Sequence, residues 1–304
     1  MKCVVAVAVL AVGALAMAGC AGDEGGQGGS PASAASLPPP PVTATPSVSN
    51  LNDVKLPLDR YTTTIDQLID LDYASKAVAA DCMKRFGITW RFGERAELNA
   101  LRDRTNRLGL IDEAVAKRAG YHADPEHADD YTQTDRDRTT LTDDQALVLL
   151  GTTPGRKAPD GVPEGGCLGE GHRRIAWNLD EDAWLEDLTN EAAGRTFADD
   201  RALRIAADWS ACMKASGYRY AKPDDANNDA RWWKNEKAAA SKIEINTAVA
   251  DVRCKRKVGY LDQMTSILSA YQQQIVEVNA ERLETAHQHT QDALKNAATV
   301  LSGR

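Results

Sequence analysis

The C-terminal third of the chain contains the stretch that decides the fold, TAVADVRCKRKVGYLDQMTSILSAYQQQIVEV (residues 247–278). Its mainly apolar seam residues recur at alternating spacings of three and four, the heptad spacing of one helix face, with Thr247 and Lys257 as imperfect members. With a shift of phase after Val278, the pattern predicts a long C-terminal helix over about residues 239–301. Gly259 can bend or break that helix, since glycine costs about 1 kcal/mol in a helix interior. The members of this heptad seam are Thr247, Ala250, Cys254, Lys257, Leu261, Met264, Leu268, Tyr271, Ile275 and Val278.

Two earlier segments share a second pattern, a helix that carries a cysteine near its end and stops at a glycine. The sequence Cys-Met-Lys-x-x-Gly begins at Cys82 and again at Cys212. The two glycines stand where helix C-caps belong. Apolar and polar side chains alternate just after them, which predicts short strands over residues 88–92 and 218–220 that could pair. We interpret the pattern as an internal pseudo-repeat.

Shorter helices are predicted between and after these units from their capping residues. Asp112, Thr142 and Asp199 stand where helix N-caps belong. The predicted fold class is therefore mainly α, with one or two short β-strands, two disulfides and the long C-terminal helix. We expect a single helical domain over residues 53–304.

The first 20 residues, MKCVVAVAVLAVGALAMAGC, predict an export signal. A charge at Lys2 precedes an uncharged apolar run and small residues, so residues 1–19 are typical of a signal peptide. Met17-Ala18-Gly19-Cys20 resembles the lipobox of bacterial lipoproteins, with Met17 in place of the more usual leucine. The resemblance implies that Cys20 becomes the N-terminus and carries a diacylglyceryl anchor with acyl chains such as palmitate. A transmembrane anchor and an ordinary secretory signal remain alternatives.

Residues 20–52 change sharply in composition. Glycines come first, followed by the run Pro38-Pro39-Pro40-Pro41, and few large apolar side chains are present. Such a segment buries too little surface to fold alone, and we predict a disordered tether that starts at the lipidated cysteine. The proline run favours a semi-rigid polyproline II helix.

Cleavage and lipidation leave Cys82, Cys167, Cys212 and Cys254. An even number of cysteines in an exported chain predicts two disulfides. Three pairings are possible, and the pseudo-repeat favours Cys82–Cys167 with Cys212–Cys254. A metal site made of four thiolates is the rival, but the sequence contains no Cys-x-x-Cys pair.

The sequence contains none of the motifs that mark serine hydrolases, zinc proteases or thiol oxidoreductases. We therefore predict no catalytic residue, no metal ligand and no cofactor. Trp232 and Trp233 form the one provocative aromatic pair. Exposed, they could stack on sugar rings as a ligand surface, whereas buried they would pack against the long helix.

The body of the chain resembles predicted lipoproteins of actinobacteria. The resemblance lies in Gly166-Cys167-Leu168-Gly169-Glu170, Trp209-Ser210-x-Cys212-Met213 and Ala250-Asp251-Val252-x-Cys254-Lys255, and it implies no catalytic residue.

From these features we expect a lipid-anchored protein on the extracytoplasmic face of the cell membrane. It would act by binding or as an envelope or accessory component. Its expected partners are the bilayer and either an envelope protein or a second copy through the C-terminal helix. The net charge of −8 argues against nucleic acid. A self-associating coiled-coil protein and an enzyme with an unrecognised site are the alternatives.

Overall fold

The structure is a computed structural model that describes residues 37–43, 48, 54–93, 108–122, 140–234 and 239–303. It is mainly α, as predicted. The described helices are a 3-10 turn at Pro57–Arg60, α1 Ile65–Arg85, α2 Glu113–Ala119, α3 Asp143–Leu150, α4 Gly166–Ile175, α5 Leu179–Ala198, α6 Asp200–Ala215, α7 Pro223–Asn227, α8 Lys242–Lys257 and α9 Tyr260–Ser302.

The predicted N-caps are confirmed. Asp112 accepts hydrogen bonds from the first backbone N–H groups of α2, and Asp199 accepts one from the start of α6. Thr142 forms a reciprocal capping box with Gln145 at the start of α3. These side chains satisfy donors that have no partner within the helix, which is why each helix begins where it does.

The C-terminal region forms two helices, because Gly259 breaks the one predicted over about 239–301. Gly259 adopts a left-handed conformation with φ of +62°, so α8 ends at Lys257 and α9 starts at Tyr260. Helix α9 has 43 residues and a second irregularity at Asn279, whose φ and ψ are not helical. At 1.5 Å per residue, α9 is about 65 Å long.

The heptad seam of α9 packs against the rest of the same chain. Met264, Leu268, Tyr271 and Ile275 are buried in the largest apolar cluster of the described residues. This cluster contains side chains from α5, α6 and the 3-10 turn, namely Leu185, Leu188, Ala202, Ile205 and Leu58. These seam residues are therefore already covered without a second copy.

The strands were predicted at the wrong positions. The described strands are β1 Thr152–Thr153 and β2 Arg156–Lys157, a small antiparallel hairpin that pairs Thr152 with Lys157. Residues 88–92 and 218–220 form no strand. Ile88 and Trp90 instead pack against the apolar cluster that contains Cys82, which partly buries their side chains without strand pairing.

The two units of the pseudo-repeat end in the same backbone geometry. Ile88 N–H donates to the Met83 carbonyl over 3.1 Å, and Tyr218 N–H donates to the Met213 carbonyl over 2.9 Å. Gly87 has a φ of +72° and Gly217 a φ of +93°. This six-to-one hydrogen bond around a left-handed glycine closes both helices as a Schellman cap.

Within the described ranges, no helix combines the length and apolarity that crossing a bilayer requires.

Candidate functional site: the proline groove

All four cysteines of the described body form disulfides, in the predicted pairing. Cys82 of α1 is bonded to Cys167 of α4, with 5.5 Å between their Cα atoms. Cys212 of α6 is bonded to Cys254 of α8, with a Cα separation of 5.6 Å. No thiol of these four is left free to act as a nucleophile or metal ligand.

The tryptophan pair does not form a stacking platform. Trp232 is only 5% exposed and packs in a cluster with Ala248 and Val252 of α8. Its indole N–H donates to the carbonyl of Ala226 over 2.8 Å. Trp233 is half-buried and lies 4.9 Å from the ring of His122. Trp232 therefore packs inward and is unavailable as a ligand surface, whereas Trp233 keeps part of its side chain exposed.

Helix α8 carries a buried charged pair that the sequence analysis did not identify. The Asp251 side chain is fully buried, and Lys255 of the same helix donates to it over 3.1 Å. Trp209 donates its indole N–H to the other carboxylate oxygen over 2.9 Å, and Tyr121 donates its hydroxyl over 3.3 Å. Lys255 also donates to the carbonyl of Leu110 over 2.8 Å.

In this α8 network, Tyr121, Trp209 and Lys255 all donate hydrogen bonds to the Asp251 carboxylate. Burial raises the pKa of Asp251, although Lys255 beside it acts in the opposite direction. Burial likewise raises the pKa of the Tyr121 hydroxyl. Because three donors already occupy the carboxylate and it has no exposed surface, we assign the network a structural role.

The surface that does hold a ligand-like segment lies between α5, α6 and α9. Residues 37–43, sequence LPPPPVT, lie across it, although the composition predicts that they belong to the free tether of residues 20–52. Pro40 is buried, Val42 is half-buried against the largest apolar cluster, and the other five residues are exposed. We call this surface the proline groove.

Three side chains hold the segment by its backbone carbonyl groups. Arg195 donates to Leu37 over 3.0 Å, Gln274 donates to Pro38 over 3.1 Å and Arg201 donates to Pro40 over 2.9 Å. They are the donors of the proline groove, and each comes from a different helix. Proline has no backbone N–H, so its carbonyl oxygens are its backbone hydrogen-bonding groups.

The donors are themselves held in place. Arg195 donates to the side-chain oxygen of Gln274 over 2.7 Å. Arg201 donates to both carboxylate oxygens of Asp199, which also accepts the Tyr271 hydroxyl over 2.8 Å. The hydrogen bonds from Arg201 hold the pKa of Asp199 well below its usual range, and the hydrogen bond from the Tyr271 hydroxyl lowers this pKa further. Side chains of the helical body therefore hold Arg195 and Arg201 while they contact the segment.

The proline groove continues beyond the segment as an open cavity of about 340 Å³. Val42 lies at its edge, and its other walls include Arg204 and Asp208 of α6 and Ser266 and Ile267 of α9. A mixed apolar and charged space therefore adjoins Val42 of the segment.

Sequence reasoning missed this site because Gln274 lies more than 70 positions from Arg195 and Arg201, and none of the three belongs to a motif. The four consecutive prolines were the only available signal, and they predicted a polyproline II conformation but not a binding surface. Cys20 and residues 1–19, the predicted signal peptide, lie outside the described residues.

The proline groove is suited to binding, since its hydrogen bonds, buried proline and adjoining cavity can recognise an extended chain. In the described part of the molecule, no group of three or more histidine, cysteine, aspartate and glutamate side chains could hold a metal ion.

Comparison of the whole chain with protein-family models, with curated proteins and with solved structures finds no match.

Proposed function

We propose that this protein is a lipid-anchored binding protein on the extracytoplasmic face of a bacterial cell membrane. The observation that carries the proposal is the complete pairing of Cys82, Cys167, Cys212 and Cys254. Disulfides persist in oxidising compartments and are rare in the reducing cytosol. Two structural disulfides in one body therefore support export.

Export gives a role to Cys20, which follows the apolar N-terminal run and is the lipobox cysteine. Two acyl chains on this residue would hold the protein at the membrane stably, whereas one chain gives only marginal binding. The protein would thus bind the bilayer through this anchor, and the helical body would face the envelope.

Binding is better supported than self-association or catalysis. The heptad residues Met264, Leu268 and Ile275 are buried against α5 and α6, so they present almost no apolar surface to a second copy. The α8 network lacks surface access at Asp251. The proline groove, in contrast, is open at one end and presents fixed hydrogen-bond donors.

The test compares Cys20→Ala with Cys3→Ala, both expressed as the full chain in a bacterium that processes lipoproteins. We expect the wild type and Cys3→Ala in the membrane fraction and Cys20→Ala in the soluble extracytoplasmic fraction. Mass spectrometry of the N-terminal peptide should show a diacylglyceryl group on Cys20. A wild-type N-terminal peptide that retains residues before Cys20 and carries no diacylglyceryl group would instead favour a transmembrane anchor and overturn the lipid assignment.

A further inference from the structure

We infer that the proline groove is a polyproline II binding site that accepts a proline-rich segment of another envelope protein, with residues 37–43 as its resting occupant. This inference rests on the proposed function, because it names the partner of the binding protein. It depends on three features of the groove. The groove binds the backbone carbonyl groups of the segment, it buries little of the segment, and an open cavity adjoins the segment.

The first feature is recognition through the backbone. The described hydrogen bonds to the proline part of the segment run from Gln274 to Pro38 and from Arg201 to Pro40. A polyproline II helix has no internal hydrogen bonds and leaves its carbonyl groups available. Any segment with this conformation would present the same acceptors, so the site reads a backbone shape that other chains can supply.

The second feature is the shallow seat of the occupant. Only Pro40 is buried and only Val42 is half-buried, whereas core residues such as Leu58 and Ile275 are at most 1% exposed. Removing the segment would therefore uncover little apolar surface. The apolar cluster beneath it is assembled from α5, α6 and α9, which pack on one another without it.

The third feature is the cavity of about 340 Å³ next to Val42. The resting occupant leaves this space empty, so a ligand with a larger apolar side chain at that position would bury more surface. Arg204 and Asp208 on its wall add polar groups that could bind the continuing chain. A partner segment can thus gain contacts that residues 37–43 do not make.

The same argument disfavours the tether of a second copy as the partner. That tether would form the same contacts that each chain already makes with itself. The exchange would add no contact and would cost the entropy of association. The partner is therefore a different chain, with consecutive prolines followed by a residue larger than valine.

The test uses the exported full mature chain with Cys20→Ala, which keeps both disulfides. Deletion of residues 37–43 empties the groove, because it removes the three carbonyl acceptors together with Pro40 and Val42. The probe is a fluorescent peptide LPPPPVT, and LAAAAVT is its control. We expect saturable binding of LPPPPVT to the emptied protein and weaker binding to the unemptied protein, whose own segment has an effective concentration of about millimolar.

Two matched changes test the geometry. In the emptied protein, Gln274→Ala should weaken binding at least about fivefold, because it removes one hydrogen bond to the peptide and the side-chain oxygen that holds Arg195. The neighbouring Gln273→Ala is the control, since that side chain bonds Glu277 on the same helix, and binding should not change. The peptide LPPPPLT should bind up to about fourfold more tightly, because one more methylene enters the cavity.

Absence of saturable binding to a folded emptied protein would overturn the inference and make residues 37–43 a fixed part of the fold. If the emptied protein does not fold, photo-crosslinking of the peptide to the unemptied protein decides. With the peptide above the millimolar effective concentration of the resident segment, crosslinks on α6 and α9 would support the site, and their absence would reject it. A dimer that the peptide dissociates would assign the groove to a second copy and also overturn the inference. None of these outcomes depends on the lipid anchor.

Discussion

The side-chain amide of Gln274 donates to the carbonyl oxygen of Pro38 over 3.1 Å, although 236 positions separate the two residues. The contact joins the segment after the predicted signal to the longest helix of the described chain. It makes residues 37–43 part of the folded body, which the composition alone does not suggest.

The crossing of α1 and α4 depends on a glycine. A methyl group at Gly171 would overlap the backbone of Ser75, so we expect Gly171→Ala to push the two helices apart and cost about 1–3 kcal/mol. Gly194 in α5 is the matched control, since a methyl group there meets nothing within 4 Å. Gly194→Ala should stabilise the protein by about 0.5–1 kcal/mol. Urea unfolding measures both, and equal effects would contradict the packing argument.

The buried pair of α8 should be expensive to break. Asp251→Asn leaves the Lys255 ammonium buried without its counter-charge, and we expect a loss of about 3–5 kcal/mol in the free energy of unfolding. Adding Lys255→Met should recover much of the loss, because no buried charge then remains. Asp292→Asn is the control, since its ion pair with Lys295 is exposed and should change stability by less than about 0.5 kcal/mol. A loss below about 1 kcal/mol for Asp251→Asn would show that water reaches the pair.

Each disulfide should contribute a similar stability. The bonds close loops with sequence separations of 85 and 42 residues, for which the chain-entropy model gives about 4.6 and 4 kcal/mol. The double variants Cys82→Ala with Cys167→Ala and Cys212→Ala with Cys254→Ala test this by urea unfolding. Non-reducing mass spectrometry of proteolytic peptides checks the pairing in the same samples. A peptide that links Cys82 to Cys212 would contradict the pairing.

The contribution of Asp199 to the free energy of unfolding should decline only below about pH 4. Hydrogen bonds from Arg201 hold the pKa of Asp199 below its ordinary value, so its carboxylate stabilises the folded state above about pH 4. That contribution declines as the pH falls below this value towards the folded-state pKa. Asp199→Asn should therefore destabilise the protein at pH 7 and differ less from the wild type at pH 3.

The control for this prediction is Asp200→Asn, an exposed neighbour on the same helix. Urea unfolding at pH 7, 4 and 3 gives the comparison. A difference between wild type and Asp199→Asn that stays constant across these pH values would show that the ion pair with Arg201 does not supply the effect.

Local rules predicted most of the helical framework. Thr142 and Asp199 are N-caps because their side chains satisfy backbone donors within three residues, which sequence proximity alone reveals. Gly259 breaks the C-terminal helix for a similarly local reason, its left-handed backbone. The disulfide pairing followed from the repeated Cys-Met-Lys-x-x-Gly unit.

Non-local contacts account for what the sequence did not reveal. Trp90 and Tyr220 alternate with polar residues as strand residues do, but contacts with distant parts of the chain satisfy their side chains. Lys255 lies four positions from Asp251, a spacing that places both on one helix face. The other partners, Trp209 and Tyr121, are 42 and 130 positions away, so no spacing rule joins them to Asp251. The three donors of the proline groove meet only after α5, α6 and α9 have packed.

The seat of Pro38 on α9 has a consequence for the order of assembly. In a chain exported N-terminus first, residues 37–43 cross the membrane before any helix of the groove exists. Their seat is complete only after α9, the last helix described, has followed. A cysteine at position 20 would by then already be accessible to the enzymes that attach lipid. Attachment to the bilayer would therefore precede closure of the N-terminal segment onto the body, and docking would be among the last steps of maturation.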